Sequence, residues 1–367
     1  MKIVIFGLAI SSSWGNGHAT TYRALGRALH ARGHRIVFFE RDWEWYRDNR
    51  DLPEPDFCDL RIYEEWPDAL PAARRALRDA DLAIVGSYFP DAARAVGLVL
   101  DSAALKAFYD IDTPVTVAEL RRTGHAPYLR REEIPGFDLY LSFTGGPMLR
   151  ELETVFGARL AAPLYCSFDP AMYRPRPPAR RFTCDMSYMG TYAADRQPKV
   201  DELLGRTATG MPHGKFIVAG SQYPKSVRWP ANVKRIVHLN PRWHPLLYSS
   251  SRLTLNVTRR DMVLAGYSPS VRLFEAAACG ATIVSDNWPG LEAFFVPGKE
   301  ILLASSADDV RRYLDGMDAA ELRRMGAAAR ERVIAEHTSD RRARQLELLV
   351  ERASLRAAEA ASALAPA

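Results

Sequence analysis

The chain has 367 residues, of which 47% are hydrophobic and 25% charged, and these values are typical of a globular protein. A single core stops growing at roughly 250 to 300 residues, so the length predicts two domains and the composition excludes a disordered, collagen-like or coiled-coil chain. The net charge of +5 reflects an arginine-biased composition, because no run of five or more basic residues marks a nucleic-acid-binding patch. We therefore expect no nucleic-acid partner.

The expected compartment depends on three features that the sequence lacks: a membrane-spanning apolar run, an apolar leader and paired cysteines. Charged residues or glycines interrupt every apolar run before ~18 residues, the length of a membrane-spanning helix. The first residues show no apolar leader, and the four cysteines form no pair with metal-ligand spacing. We expect a cytoplasmic protein without a transmembrane segment, zinc site or disulfide framework, although peripheral contact with a membrane stays open.

The first predicted elements form a βαβ unit. Residues 3–7 read as a buried strand, 20–31 as a helix that ends before Gly33, and 35–40 as a second strand. This order predicts a parallel sheet. Further strands are expected at 82–85, 107–109 and 139–143, with helices at 72–79, 92–104, 115–121 and 148–156.

A proline-rich segment over 169–182 predicts a linker, since neither helix nor central strand tolerates four prolines in ten residues. It would separate an N-terminal domain, 1–168, from a C-terminal domain, 183–338, and a final helical segment, 339–367. The second domain repeats the alternation, with strands expected at 185–189, 216–219, 235–239, 253–257, 282–285 and 301–304. The predicted fold is α/β, with two Rossmann-like parallel-sheet domains facing a cleft where ligands bind.

The loop after the first strand is the most unusual local feature. It carries Trp14, Gly15, Asn16 and Gly17, followed by His18 at the helix start. The distance from Gly7 to the next glycine is too long for a dinucleotide-binding turn, which disfavours a dehydrogenase. His18 fits a general base or a sugar ligand, and the alternative is a packing role.

Asp110 and Asp112 follow a predicted strand. The pair could chelate Mg²⁺ or Mn²⁺ through oxygen ligands. Asp112 precedes Thr113 and Pro114, however, and this order is more typical of a helix N-cap.

The second half of the chain holds a candidate anion site. Arg259 and Arg272 flank a helix start for which Ser268 or Ser270 is the expected cap, and free helix N–H groups beside arginines suit a diphosphate. Glu275 lies one turn further on and fits two ribose hydroxyls, with an arginine ion pair as the alternative. Arg196, at the start of another helix, and Asn256, in a strand, complete the donor-binding candidates, whereas Lys199 is expected to be solvated.

The segment from Glu275 through Cys279 and Gly280 to Ala281 resembles the donor half of nucleotide-sugar glycosyltransferases of the GT-B fold. Two motifs, Trp14 to Arg23 and Ser268 to Glu275, are similar more narrowly to CgeB-type, or spore-maturation-protein-like, glycosyltransferases. The resemblance implies that the C-terminal domain binds a nucleotide diphosphate sugar and the N-terminal domain an acceptor, which could be a glycan, a protein or a small molecule. It also implies that the last helix, within 340–357, returns to the N-terminal domain.

The resemblance further implies roles for single residues. Glu275 would hold the ribose, His18 would serve as catalytic base, and no metal or other cofactor would be needed. Related retaining enzymes carry a Glu-x7-Glu pair, and Tyr267 stands where the first carboxylate would fall, so the stereochemical outcome stays open. Two alternatives remain, namely a nucleotide-sugar 2-epimerase or hydrolase and a non-catalytic structural protein on a transferase scaffold.

Overall fold

Two parallel β-sheets organise the chain, one in each of two units. The computed structural model describes residues 1–15 and 17–363. Unit 1 comprises Met1–Cys166 together with the segment that begins at Ser339, and unit 2 comprises Ser167–Thr338. The predicted fold class, two Rossmann-like parallel-sheet domains, is confirmed.

The sheet of unit 1 has seven parallel strands in the order β3-β2-β1-β4-β5-β6-β7. Its inner strands are almost wholly buried, as expected for short runs of Val, Ile, Leu and Phe between covering helices. The strands are β1 (Lys2–Phe6), β2 (Arg35–Arg41), β3 (Asp59–Tyr63), β4 (Leu82–Gly86), β5 (Leu105–Asp110), β6 (Leu139–Ser142) and β7 (Ala161–Pro163).

Six helices of unit 1 connect these strands, together with a short antiparallel hairpin, His125–Ala126 with Leu129–Arg130, and a 3₁₀ turn, Arg131–Gly136. The helices are α1 (Gly17–Ala31), α2 (Glu44–Arg47), α3 (Trp66–Leu77), α4 (Ala92–Leu100), α5 (Thr113–Thr123) and α6 (Pro147–Thr154).

The sheet of unit 2 has six parallel strands in the order β10-β9-β8-β11-β12-β13. The strands are β8 (Cys184–Met189), β9 (Phe216–Ala219), β10 (Val233–Ile236), β11 (Ser251–Asn256), β12 (Ile283–Ser285) and β13 (Leu302–Leu303). Helix α7 runs from Gln197–Val200 through a π-helical stretch, Asp201–Arg206, into Thr207–Gly210. The other helices are α8 (His244–Ser250), α9 (Arg260–Ala265), α10 (Val271–Ala278), α11 (Ala307–Gly316) and α12 (Ala319–Glu336).

The strand order reverses once in each sheet, next to the first strand of the unit. In unit 1 the reversal lies between β1 and β4, and in unit 2 between β8 and β11. At such a point the connections leave toward opposite faces, which opens a crevice at the carboxyl ends of the strands. The loops after β1 and β8 therefore begin at the position in each sheet where a ligand is expected.

The last helix, α13 (Ser339–Ala363), belongs to unit 1, as predicted. Gln345 donates to the carbonyl of Pro163 at 2.8 Å. Glu347 accepts from the guanidinium of Arg32 at 2.7 Å, and this hydrogen bond is the main cause that lowers the pKa of Glu347 to about 2. Among the described residues, no helix combines the length and apolar character needed to cross a membrane.

Three strands differ from the sequence prediction. Strands β3 and β7 were not predicted, because the first is half exposed with charged residues among its apolar ones and the second is only three residues long. The strand expected at 235–239 lies at Val233–Ile236. The proline-rich segment contains no strand, and it packs on unit 2 through backbone N–H bonds from Arg176 and Ala179 to Ser249 and Ser250.

Candidate functional site

The loop after β1 is held in place by a buried carboxylate at the end of β2. Glu40 is wholly buried and accepts hydrogen bonds from the backbone N–H groups of Ile10, at 2.7 Å, and Ser11, at 3.0 Å. Burial raises the pKa of Glu40, and the bonds from Ser11 and Ile10 oppose that rise. Glu40 ends a strand as a ribose-binding acid would, but its role in this fold is to fix the loop.

A second contact fixes the other half of the loop. The guanidinium of Arg23 forms two bonds with the carboxylate of Asp51, at 2.6 and 3.1 Å, and Ser13 donates to the same carboxylate from both its backbone and its hydroxyl. Arg23 also donates to the carbonyl of Ile10. Bidentate arginine pairs combine strength with a fixed geometry, so the loop before His18 is pre-organised.

His18 lies in the first turn of α1 and is partly buried. The ring of Tyr88 packs edge-on against it, with 5.4 Å between ring centroids. Burial lowers the pKa of His18, whereas the negative charge of Asp112 raises it. The imidazole is therefore neutral at physiological pH and able to accept a proton.

The structure describes three of the four other candidate residues of this loop. Trp14 and Gly15 lie beside the serines, half-buried, and Gly15 has a φ of +60° that favours glycine. Gly17 begins α1. Asn16 lies outside the described residues.

Asp112 occupies the N-cap position of α5, as predicted. Its side chain makes no cap hydrogen bond and instead accepts one from the hydroxyl of Tyr88 at 3.1 Å. Tyr88 has a φ of +63°, a left-handed conformation that is rare for a bulky residue and that clusters at functional sites. Sequence reasoning missed Tyr88 because only the fold places it between Asp112 and His18.

Asp110 is wholly buried and hydrogen-bonded within the sheet. Its carboxylate accepts from the hydroxyls of Tyr140, at 2.6 Å, and Thr116, at 2.9 Å. Burial raises its pKa to about 7. Among the residues that the structure describes, no group of three His, Cys, Asp or Glu side chains could hold a metal ion.

In unit 2, the structure brings Arg272, Asn256 and Ser270 together. The amide oxygen of Asn256, at the end of β11, accepts from Arg272 at 2.8 Å and from Ser270 at 2.9 Å. Ser270 stands at the N-cap position of α10, as predicted, but its hydroxyl donates to Asn256 and forms no capping hydrogen bond. Ser268 is buried two residues earlier.

Two further arginines lie close to Arg272. Arg196 donates to the carbonyl of Thr191 in the loop after β8, and Arg272 donates to the carbonyl of Met189 at the end of that strand. Burial lowers the pKa of Arg196, and the positive charges of Arg272 and Arg259 lower it further. The side chain of Arg259 approaches Asp195 at 3.7 Å. The sequence named all three arginines, and the fold places them in one electrostatic cluster.

Two buried hydroxyls accompany the arginines, and the sequence did not indicate either. Tyr188 is fully buried and Ser221 is 3% exposed, and within the described part of the chain neither side-chain oxygen has a hydrogen-bond partner. Arg272 lies over the ring of Tyr188, 5.2 Å from its centroid. Leaving a buried hydroxyl unpaired costs about 1 to 3 kcal/mol. The backbone carbonyl of Ser221 accepts from the N–H of Tyr192, so Ser221 and Tyr188 both flank the loop after β8.

Glu275 lies on α10, one turn beyond Arg272, and is 3% exposed. Burial raises its pKa to about 7, while a hydrogen bond from Tyr173 and the charge of Arg272 lower it. The ring nitrogen Nδ1 of His244 is 4.0 Å from Oε2 of Glu275. The carboxylate is thus electrostatically coupled to the arginine cluster.

A cavity of about 570 Å³ opens at the carboxyl ends of β11, β12 and β13. Asp286 and Thr258 form part of its wall, and Asp286 accepts from the backbone N–H of Thr258 at 3.1 Å. Burial raises the pKa of Asp286 to about 6. Lys199, exposed as predicted, also lines this cavity.

Comparisons with known proteins give one family match and several similar folds. Residues 196–347, less than half of the chain, match a family model described as glycosyl transferase-like. This segment includes every arginine of the cluster together with Glu275. A comparison with curated protein sequences gives no significant match.

Solved structures share the fold along nearly the whole chain. Sucrose-phosphate synthase from Thermosynechococcus elongatus has a TM-score of 0.70 at 15% identity, over 96% of this chain and 98% of that one. The Anabaena protein HepE, in complex with UDP and glucose, has a TM-score of 0.70 at 12% identity, over 96% and 99%. An α-glucosyltransferase in complex with UDP-glucose and DNA has a TM-score of 0.69 at 12% identity, over the same shares. The fold of this chain is therefore the GT-B fold of two α/β units.

Proposed function

We propose that the protein is a metal-independent glycosyltransferase that moves a sugar from a nucleoside diphosphate sugar to an acceptor. Unit 2 binds the donor, and unit 1 supplies the acceptor site and the catalytic base. The motifs around His18 and Glu275 further support a place among CgeB-type enzymes. The glycosyl transferase-like match over residues 196–347 supports the donor half of the proposal.

One observation carries the proposal, namely the cluster of Arg196, Arg272, Tyr188 and Ser221 at the strand-order reversal of unit 2. Both guanidinium groups donate to neutral acceptors, because Arg196 donates to the carbonyl of Thr191 and Arg272 to the carbonyl of Met189 and the amide oxygen of Asn256. The positive charge of Arg272 lowers the pKa of Arg196, and a diphosphate would offset this repulsion between the two cations while accepting hydrogen bonds from both hydroxyls. The N-terminus of α10 adds backbone N–H groups and a favourable dipole.

The aromatic residues next to the cluster support a nucleoside rather than a bare diphosphate. Arg235 lies over the rings of Tyr223, at 4.2 Å, and Trp229, at 5.1 Å. The hydroxyl of Tyr223 donates to the carbonyl of Gly190, in the same loop region that Arg196 contacts. We assign the base to this aromatic surface and the ribose to Glu275, with Asn256, Arg259, Ser268 and Ser270 as the remaining donor-binding residues.

The chemical step is a displacement at the anomeric carbon. His18 accepts the proton of the acceptor hydroxyl, the oxygen bonds to the anomeric carbon, and the bond from that carbon to the diphosphate oxygen breaks. The charge that develops on the diphosphate is stabilised by Arg196 and Arg272, so no cation is required. A single displacement of this kind inverts the anomeric configuration.

A thermal-shift screen with UDP-, GDP-, TDP- and CDP-sugars in the presence of EDTA tests the donor site, because a ligand of the native state raises the melting temperature. We expect one nucleotide series to stabilise the native protein and the Arg206→Ala control. Arg206 lies on α7, ten residues beyond Arg196, but its side chain is 75% exposed and paired with Glu202. The Arg196→Ala, Arg272→Ala double variant should lose the response.

Two results would contradict the proposal. If none of the four nucleotide-sugar series raised the melting temperature, the proposed donor site would be wrong. If a series did so only after Mg²⁺ or Mn²⁺ was added, the proposed metal independence would be wrong. Incubation with the stabilising donor alone separates the remaining alternatives. A hydrolase or 2-epimerase would convert that donor at full rate without an acceptor, and a structural protein would never convert it.

A further inference from the structure

A pair of stacked tryptophans lies beyond the end of β2. The rings of Trp43 and Trp45 are parallel within 10°, with 4.9 Å between centroids. The guanidinium of Arg41 also lies over the ring of Trp43, 5.0 Å from its centroid. Trp45 is 48% exposed. The segment from 41 to 51, which carries the pair, is called the tryptophan platform below.

The tryptophan platform is attached to the loop that leads to His18. The hydroxyl of Ser12 donates to the carbonyl of Asn49 at 2.8 Å, and the side chain of Asn49 donates to the carbonyl of Trp45 at 2.8 Å. The backbone N–H of Asp51 donates to the carbonyl of Ser11. Trp45 is thus held at the same edge of unit 1 as the proposed base, on an element that the loop itself fixes.

Contacts of Arg41 and Tyr46 hold the two stacked rings in place, so the exposed ring of Trp45 has a defined orientation. Arg41 donates to the carbonyl of Glu64 and pairs with Glu65, both at 3.1 Å. Tyr46 is buried and meets the ring of Trp45 edge-on, with 6.0 Å between centroids. A rigid aromatic surface loses little conformational entropy when a ligand stacks on it.

The charges around the exposed ring decide what kind of ligand fits. Between residues 41 and 51 there are three arginines and four carboxylates, so the tryptophan platform carries no positive excess. An anionic membrane surface attracts clusters of basic residues, and this surface does not provide one. The tryptophan platform thus carries both hydrogen-bond donors and acceptors besides its apolar ring, and this combination complements a pyranose, which has a C–H face for stacking and hydroxyls at its edge.

We propose that Trp45 is an acceptor-binding residue and that the acceptor is a neutral saccharide whose pyranose ring stacks on the Trp45 indole. This inference rests on the proposed function and names the acceptor class for it. It adds a specificity-determining contact that lies outside both sequence motifs.

Binding of neutral oligosaccharides in the absence of donor tests the proposal. The probes are maltotetraose, cellotetraose, mannotetraose and N-acetylated chitotetraose, each followed by saturation-transfer NMR and titration calorimetry. We expect at least one of them to bind the native protein. Trp45→Ala should weaken that binding by ~10-fold or more, because it removes the whole stacking surface. Trp45→Phe keeps an aromatic face and should lose only about 3-fold.

Leu348→Ala is the control, because Leu348 is an exposed apolar residue of unit 1, 58% accessible, on a different element. It should bind the saccharide like the native protein. Trp45→Ala should keep its cooperative thermal transition, since about half of the indole is already in water.

The proposal fails if no probe binds, or if Trp45→Ala binds as tightly as the native protein. It also fails if vesicles of phosphatidylcholine and phosphatidylglycerol, rather than saccharides, bind in a Trp45-dependent manner. Native binding of UDP-, GDP-, TDP- and CDP-sugars is measured in parallel. Saccharide binding without any donor binding would contradict the transferase function alone, and donor binding without saccharide binding would contradict this inference alone.

Discussion

The two strand-order reversals occupy equivalent places in two similar sheets, yet their electrostatics are opposite. In unit 1 the buried carboxylates Glu40 and Asp110 accept several hydrogen bonds each, and Arg23 is paired with Asp51. In unit 2, Arg196 and Arg272 bond to backbone carbonyls and two buried hydroxyls lack partners within the described residues. At the first edge the buried carboxylates are bonded to neighbouring protein groups, which fixes the loop after β1. The second leaves positive charge and donors for an anion.

The difference shows that one topology presents two different side-chain environments. A crevice at the reversal point follows from the strand order, whereas the ligand it takes follows from the side chains that surround it. If the comparison is right, substitutions at the edge of unit 1 should change turnover, and substitutions at the edge of unit 2 should change donor affinity.

The largest effect is expected at His18. His18→Ala should lower turnover by ~10²-fold or more with little change in donor affinity, the usual scale for a lost general base. Release of the nucleoside diphosphate measures turnover, and calorimetry measures affinity. His30→Ala, an exposed histidine in the last turn of the same helix, should behave like the native protein. If His18→Ala turned over at the native rate, His18 would have a packing role and would not be the catalytic base.

The next effect concerns the arginines of unit 2. Arg272→Ala or Arg196→Ala should weaken a nucleoside diphosphate by about 10- to 100-fold, because each removes charge-assisted hydrogen bonds worth ~1.5 to 3 kcal/mol. The corresponding monophosphate should lose less affinity. Calorimetry with both nucleotides decides the matter, with Arg206→Ala as control. Equal losses for the two nucleotides would show that the arginines do not contact the second phosphate.

Glu275 couples donor binding to stability. Glu275→Gln should weaken the donor by about 10-fold, since a ribose would lose its charged acceptor. Burial raises the pKa of Glu275 from 4.5 to about 7, so the folded state binds the extra proton between those values. This group therefore lowers the free energy of unfolding as the pH rises through that window. The variant should lose less stability than the native protein between pH 5 and pH 8, as chemical denaturation would measure.

Unchanged donor affinity in Glu275→Gln would make the carboxylate a structural partner of Arg272 alone. An unchanged pH dependence would show instead that Glu275 keeps an ordinary pKa in the folded protein.

The smallest effect is expected at Asp112. Its charge raises the pKa of His18, so Asp112→Asn should lower that pKa and move the acid limb of the pH profile to lower pH. The amide oxygen of asparagine can still accept the hydrogen bond from Tyr88. The control is Asp91→Asn, since Asp91 accepts from Tyr63 at 2.9 Å in a similar tyrosine pair. If the acid limb of the pH profile did not move in Asp112→Asn, the charge of Asp112 would have no effect on the pKa of His18.

The sequence alone determined the α/β fold class, the central strands of both sheets and the two motifs that resemble those of a known family. These features depend on local patterns, because buried parallel strands are apolar runs and the flanking helices show a period of 3.6 residues. The loop residues around His18 and the arginines 196, 259 and 272 were also visible, since they stand directly after such strands or at helix starts.

Tertiary structure decided which polar groups are satisfied. Arg272 reaches Met189, 83 residues earlier in the chain, and Tyr88 reaches Asp112, 24 residues later. Ser270 and Asp112 stand where helix caps are expected, but each makes a contact with a neighbouring element instead. Tyr188, Ser221 and the exposed face of Trp45 show no local pattern at all. A hydrogen bond between distant residues depends on strand order and loop packing, and these set the pairing only once the sheets have formed.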